Sequence, residues 1–353
     1  MNEHTTNQHS DTGEVMNGST STHPDVKNVL ITGGAGFIGS WMCRHLISRY
    51  DYNVICLDKL SSVSSLNNIK TIQDHPKFHF VQGNLHDEKR LVQLMHDYDV
   101  DEVIHFAAES SVQKSFSDPD AFLDMNVNGT YHLLEAMRTY GKIARFVHAS
   151  TDEVYGETRG VSVDENTRMN PTNPYAASKA AAEMFIMAYQ KSFRIPAMIM
   201  RCNNIYGPCQ FPEKLIPKFA LLVKDGEKLT IQGDGSRTRN FVYVEDVVEA
   251  YDTVLHNGVP GGVYNLSSVD EVSIRQVASR VLKEFGLDGE HNFDSFVISM
   301  QDRPFNDNDY VVKGDRLRAL GWSQQVFFPE GLSRTVDWYR TNGDSWWKQE
   351  LEN

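Results

Sequence analysis

NVLITGGAGFIG, residues 28–39, sets a short apolar run against three glycines, Gly33, Gly36 and Gly39, spaced three apart. The run Asn28–Thr32 is β-branched and shows no polar alternation, the pattern of a strand buried on both faces. Beyond the glycines, Ile38, Trp41, Met42 and Leu46 recur at helical spacing, which predicts a helix over Phe37–Tyr50. A glycine loop between strand and helix has its own chemistry. The first glycine permits a tight turn, the second lets backbone approach a pyrophosphate, and the third lets helix and strand pack closely. The helix start offers unpaired N–H groups and a partial positive charge to phosphate.

Working outward, Val54–Leu57 reads as the next strand and ends at Asp58, 19 residues beyond Gly39. An acid there accepts hydrogen bonds from ribose hydroxyls and repels a 2′-phosphate, so the pattern favours NAD over NADP. Lys59, the next residue, is the group that would admit NADP. Phe78–Val81, Val103–Phe106, Phe146–Ala149 and Ala197–Met200 read as further strands. Helical stretches around Leu91–Met95, Ala121–Thr139 and Ala176–Ser192 lie between them. This alternation predicts an α/β fold with a Rossmann-like, doubly wound parallel sheet.

After Arg201 the rhythm loosens around Pro208, Pro212 and Pro217, with a turn signal at Gly233-Asp234-Gly235-Ser236. The expected organisation is an NAD-binding Rossmann domain over 27–201, also receiving part of 240–265. A smaller α/β substrate-binding lobe is expected from 202–239 and 266–342. Residues 1–26 are polar, lack an apolar signal core and read as a disordered tail. Residues 343–353 are expected to fray.

The 353 residues carry a net charge of −13, which argues against nucleic acid and anionic membranes as partners. No apolar run approaches the ~18 residues of a membrane span. Cys43, Cys56, Cys202 and Cys209 form no C-x-x-C pair and read as buried free thiols of a reducing, cytoplasmic compartment. The 13 histidines include no H-E-x-x-H cluster, so no metal is expected.

Tyr175 and Lys179, in PYAASK, are four apart near the start of a predicted helix and so share one face. A tyrosine is a poor base at neutral pH. A nearby ammonium and a positive nicotinamide ring would favour its phenolate. Thr151, Asp152 and Glu153 follow the Phe146–Ala149 strand, at the sheet edge where ligands bind. Successive residues of an extended strand point to opposite faces. Both carboxylates can therefore reach one ligand only if the chain turns immediately after Thr151, and such a turn is predicted.

TGGAGFIG (32–39), HFAAES (105–110), STDEVYG (150–156), PYAASK (174–179) and RCNNIYGP (201–208) resemble, in order, the extended short-chain dehydrogenase/reductase family of nucleotide-sugar enzymes. The resemblance spans about residues 27–340. Within it, the Asp152–Glu153 pair is similar to nucleoside-diphosphate-glucose 4,6-dehydratases. That resemblance implies Glu153 as the base for the sugar C5 proton and Asp152 as the acid for the departing C6 hydroxyl. It makes Thr151 a partner of the C4 oxygen, and Tyr175 with Lys179 the oxidising pair. The implied NAD contacts are Gly33, Gly36, Phe37, Ile38, Gly39, Asp58, Lys59, Asn84, Leu85 and Ala107, with Tyr175 and Lys179. The implied nucleotide-sugar contacts are Ser110, Asn204, Lys214, Arg239, Asn265, Arg303 and Tyr310.

NNIYGPCQFPEKLIPKF and DRPFND look most like eukaryotic UDP-glucose 4,6-dehydratases, with dTDP-glucose enzymes as the alternative. A 4-epimerase, a UDP-glucuronate decarboxylase or a non-enzymatic NAD-sensing scaffold are the readings that the acid pair and the Tyr–Lys pair oppose. Asn84 replaces the family's usual Asp, and Ser111-Val112-Gln113-Lys114-Ser115 replaces its H-V-D-x-S. The resemblance further implies a homodimer through helices 121–139 and 176–192. It also implies a place in rhamnose-type deoxysugar formation, without the appended reductase domain that would complete it.

Overall fold

The computed structural model describes residues 26–288, 291–301, 305, 307 and 309–347. The tail expected over 1–26 lies outside them up to residue 25, as do Arg303 and residues 348–353. In chain order the strands are β1 (Asn28–Thr32), β2 (Asn53–Asp58), β3 (Phe78–Gln82), β4 (Glu102–His105), β5 (Arg145–Thr151) and β6 (Ala197–Cys202), then β7 (Asn204–Tyr206), β8 (Leu229–Gln232), β9 (Thr238–Tyr243), β10 (Val263–Leu266), β11 (Glu271–Ser273) and β12 (Val297–Met300).

Seven strands form one parallel sheet in the order β10-β6-β5-β4-β1-β2-β3. The doubly wound α/β class read from the sequence is the class observed. Why the strands are apolar without alternation is visible in the core. Val29, Ile31, Val54 and Cys56 face one hydrophobic cluster, while Leu30, Ile55 and Leu57 face another. Helices cover both faces. Phe37–Tyr50 and Val244–Asn257 pack together on the first, and Glu88–Asp97, Gly129–Tyr140 and Pro174–Phe193 lie on the second.

The chain builds from β1 through β2 and β3, then crosses back to β4 and builds the other way. Order therefore reverses between β1 and β4, and ligands of open parallel sheets bind beyond the strand ends at such a point. The second half of the chain returns to the sheet: β10 pairs with β6, from Val263 opposite Ile199 to Leu266 opposite Cys202. The rest of it makes two small sheets, β11-β9-β7 and β12-β8, with helices Leu215–Lys224 and Ile274–Glu284.

One expectation is refined and one corrected. The helix expected over Ala121–Thr139 is present and continuous, as Pro119–Phe122, a wider π turn at Leu123–Asn128, and Gly129–Tyr140. The π turn carries Asn126, whose amide bonds both the N–H and the carbonyl of Glu109 and the Ser178 hydroxyl. Such turns recur at functional sites. Residues 343–347 do not fray: helix Phe328–Trp346 runs through them and Trp347 is fully buried. Trp346 donates its indole N–H to Asn68 Oδ1 at 2.7 Å, and Trp347 packs edge-on against Phe211.

Candidate active site

A cavity of about 950 Å³ opens beyond the carboxyl ends of β1, β4 and β5, walled on its other side by β7, β8, β9 and helix Leu215–Lys224. Gly33, Gly36, Phe37, Ile38, Gly39, Asp58, Lys59, Asn84, Leu85 and Ala107 all line it. Gly33 has φ +70°, and a Cβ there would sit 2.7 Å from the Ala107 backbone nitrogen. Only glycine combines that conformation with that approach. The loop is braced from below by Asp58, which accepts from the Ala35 and Leu60 N–H groups at 3.0 and 2.8 Å and from the Ser64 hydroxyl at 3.0 Å. An ionised carboxylate has about four acceptor positions, so one remains for a ribose hydroxyl. Lys59 donates to Glu109 at 3.3 Å, which occupies the cation that a 2′-phosphate would need. The Asn84 carbonyl oxygen accepts from the His86 N–H at 3.3 Å.

Helix Pro174–Phe193 carries the Tyr–Lys pair. Asn173 caps it by accepting from the Ala176 N–H at 2.8 Å, and Pro174 takes the first helical position, where its missing N–H costs nothing. Both side chains line the cavity and Lys179 is buried. Burial brings its ammonium down to about 8, against the pull of Glu183. Its Nζ lies 3.4 Å from Nε2 of buried His148. Burial, with Glu153 after it, holds the Tyr175 phenol well above its ordinary range. The chain's own groups thus raise this pKa, where Lys179 was expected to help lower it.

The turn predicted after Thr151 is present: β5 ends there and Asp152–Tyr155 form a 3₁₀ turn, with the Thr151 hydroxyl accepting from the Glu153 N–H at 3.3 Å. Thr151 and Glu153 line the cavity. The Asn173 amide donates to Glu153 Oε2 at 2.9 Å. Asp152 does not line the cavity: it is set deeper, 3% exposed, and accepts from Asn203 at 2.6 Å and from the Thr151 hydroxyl at 3.3 Å. Burial, reinforced by Glu153, raises the Asp152 carboxyl to about 7 against those hydrogen bonds. One turn thus offers two carboxyls in unlike surroundings, the arrangement that separates an acid from a base.

Ser110, in the loop after β4, lines the cavity too, with Asn204, Lys214, Arg239 and Tyr310 from the second half of the chain. Lys214 reaches across to the Ser110 carbonyl at 2.7 Å. Arg239 donates to the Thr238 and Asp307 carbonyls at 2.7 and 2.8 Å and stacks over Tyr310, 5.1 Å from the ring centroid. Asn265 is not brought to the cavity. It lies in β10, fully buried, its amide held between the Tyr155 hydroxyl at 2.8 Å and the Lys313 carbonyl at 2.9 Å. Arg303 lies outside the described residues.

Asn173, Asn203, Asn126 and His148 were not singled out in the sequence. Asn173 was within reach of the capping rule, since it precedes Pro174. The others have no local signal. Among the described residues one group has metal-ligand spacing, His45, Glu249 and Asp252, and Arg49 is already paired with Glu249 at 2.6 Å. All four cysteines are free and buried. Among the described residues no helix is long and apolar enough to cross a membrane.

Comparison with known proteins bears on what this cavity is for. The GDP-mannose 4,6 dehydratase family profile matches residues 30–335. The chain belongs to this family. It is 46% identical over 325 residues to the trifunctional UDP-glucose 4,6-dehydratase/UDP-4-keto-6-deoxy-D-glucose 3,5-epimerase/UDP-4-keto-L-rhamnose-reductase of Arabidopsis thaliana, with 91% of this chain and 48% of the relative covered. The chain therefore spans about half the length of these plant relatives. It is 42% identical to the human dTDP-D-glucose 4,6-dehydratase, covering 91% of this chain and 92% of that one. The solved dTDP-glucose 4,6-dehydratase DesIV of Streptomyces venezuelae, with NAD bound, superposes with a TM-score of 0.87 at 37% identity, covering 92% and 99%.

Proposed function

We propose that this chain is an NAD-dependent nucleoside-diphosphate-glucose 4,6-dehydratase, a hydro-lyase, acting on UDP-glucose to give UDP-4-keto-6-deoxyglucose. The observation that carries the reading is the meeting, at one cavity wall, of the Tyr175–Lys179 pair with Thr151 and Glu153, backed by the buried Asp152 carboxyl, which the Thr151 hydroxyl bonds. The glycine cradle and the bound Asp58 fit a dinucleotide without 2′-phosphate.

In this reading Tyr175 takes the proton of the C4 hydroxyl, and Lys179 orients it. NAD, when bound, supplies the acceptor for the C4 hydride, its return to C6, and a positive ring that favours the phenolate. Glu153, held by Asn173, removes the C5 proton made acidic by the C4 ketone. Asp152 protonates the C6 hydroxyl, which leaves as water. A carboxyl near 7 is matched to proton donation at neutral pH. Asn204, Lys214 and Arg239 are proposed to hold the diphosphate.

UDP-glucose is favoured by the 46% identity to the plant relatives, and dTDP-glucose by the human relative matched along 92% of its length. Incubation with each nucleotide sugar followed by mass spectrometry decides. Loss of one water from one of them, without added reductant, is expected. Isomerisation without water loss would overturn the reading in favour of a 4-epimerase. We further propose a homodimer: Leu123, Met184, Phe185 and Phe193 expose apolar surface on the π turn and the adjoining helix. Light scattering tests it. The four free thiols support a reducing, cytoplasmic setting.

A further inference from the structure

Asn203 follows β6 directly, is buried, and bonds the chain at and just beyond the end of β10. Its backbone N–H donates to the Leu266 carbonyl at 3.1 Å. Its side-chain Oδ1 accepts from the Ser268 N–H at 2.9 Å. A backbone N–H can only donate, so this bond fixes which end of the amide is which. The NH₂ end is left facing Asp152 and donates to Oδ2 at 2.6 Å.

That single donor breaks the symmetry of the Asp152 carboxyl. Oδ2 meets an amide N–H that can only donate, whereas Oδ1 accepts from the Thr151 hydroxyl, which can turn to accept instead, so a proton on the acid is favoured on Oδ1. Oδ1 lies 3.3 Å from the hydroxyl of Thr151, and Thr151 lines the cavity. We propose that Asn203 is a positioning residue that dictates which oxygen of Asp152 carries its proton, holding it on the Thr151 side, from which a leaving hydroxyl can be protonated. The inference rests on the reading of Asp152 as the acid. It assigns a task to a residue that touches neither the sugar nor the cofactor in that reading.

Asn203 also bears on how tightly the proton is held. Its hydrogen bond favours the ionised carboxyl and works against burial. The other groups acting on Asp152 are the Thr151 hydroxyl, at Oδ1, Glu153 on the same turn, Tyr175 from the Pro174–Phe193 helix, Cys202 from β6 and Arg239 from β9. None of these supplies an oriented donor to Oδ2 among the hydrogen bonds of the described residues.

The test uses the full chain and two variants, with water loss followed against pH and C4 oxidation followed by transient nicotinamide absorbance. Asn203→Leu removes the donor. Its kcat for water loss is expected to fall about 10- to 100-fold, the size of a misaligned proton transfer. Its alkaline limb is expected to move up by about one pH unit, KM to stay within about twofold, and C4 oxidation to persist. Asn203→Asp keeps an acceptor for Ser268 but sets a second carboxyl against Oδ2. The shared proton should then sit between the two acids, and water loss at neutral pH should fall at least about 100-fold while C4 oxidation persists. This variant carries the test if Asn203→Leu does not fold. An unmoved limb with wild-type kcat in either variant, beside a wild type that dehydrates, would overturn the inference alone. Equal loss of C4 oxidation and water loss would reduce Asn203 to a structural role and also overturn it. A wild type that removes no water would overturn the dehydratase reading and this inference together.

Discussion

The loop after β1 and the turn after β5 end neighbouring parts of one sheet edge, yet they are built on opposite terms. The β1 loop works by what it lacks. Gly33 needs its hydrogen side chain because Ala107 backbone stands where a Cβ would go. The β5 turn works by what it carries, two carboxyls hydrogen-bonded by Asn173 and Asn203, 20 and 51 positions away from their partners. The first site depends on the close approach of distant backbone, the second on donors from distant side chains. A change in the loop should therefore strike binding, and a change at the turn should strike proton transfer with binding intact.

The sharpest way to break this contrast is Glu153→Gln. Water loss is expected to fall about 10³-fold, within the range for a general base, with NAD affinity unchanged and transient C4 oxidation still seen. Loss of NAD binding in this variant would erase the distinction between the two regions. Next is Gly33→Val. Positive φ strain and the clash with Ala107 together cost about 3 kcal/mol, so NAD should bind about 100-fold more weakly by calorimetry. Wild-type affinity there would mean the loop can yield.

The pH profile comes third. An acid must hold its proton to act, so kcat/KM for water loss should fall about tenfold per pH unit above about 7, following Asp152. Asp152→Asn should lower the rate and remove that limb. If the limb survives in Asp152→Asn, it belongs to another group. The smallest effect is expected from Asn173→Ala, which loses the helix cap, about 1 kcal/mol on thermal unfolding, and the Glu153 contact, about tenfold in kcat. Asn173→Ser should recover most of the stability and little of the rate.

The same contrast explains what could be read in the sequence. The glycine spacing, Asp58, the helix Phe37–Tyr50 and the Tyr175–Lys179 face are local patterns, and each stands where it was expected. The turn after Thr151 followed from the need to bring two adjacent carboxyls to one place. The buried partners did not follow. Asn203 meets Asp152 only because β6 lies beside β5, and His148 reaches Lys179 only because the Pro174–Phe193 helix packs on β5. Asn265 shows the reverse error. It was grouped with the substrate contacts, but its place in β10 gives its amide to Tyr155 and Lys313 instead. The helix over 121–139 was legible, but the π turn within it was not, because Asn126 there bonds Glu109 and Ser178, partners that apolar spacing does not register.

The pairing of β10 with β6 carries a consequence for how the molecule comes into being. A nascent chain that has emerged only as far as residue 201 would hold six sheet strands, with the outer edge of β6 open to any strand it met. The apolar strip that helix Val244–Asn257 covers on helix Phe37–Tyr50 would be bare as well. The strip is covered only once residues 244–257 arrive and the edge only with residues 263–266, so the part up to residue 201 cannot be cut out and kept. Severed after residue 201, it should be recovered as aggregate, and supplying residues 202–347 on a separate chain should rescue it.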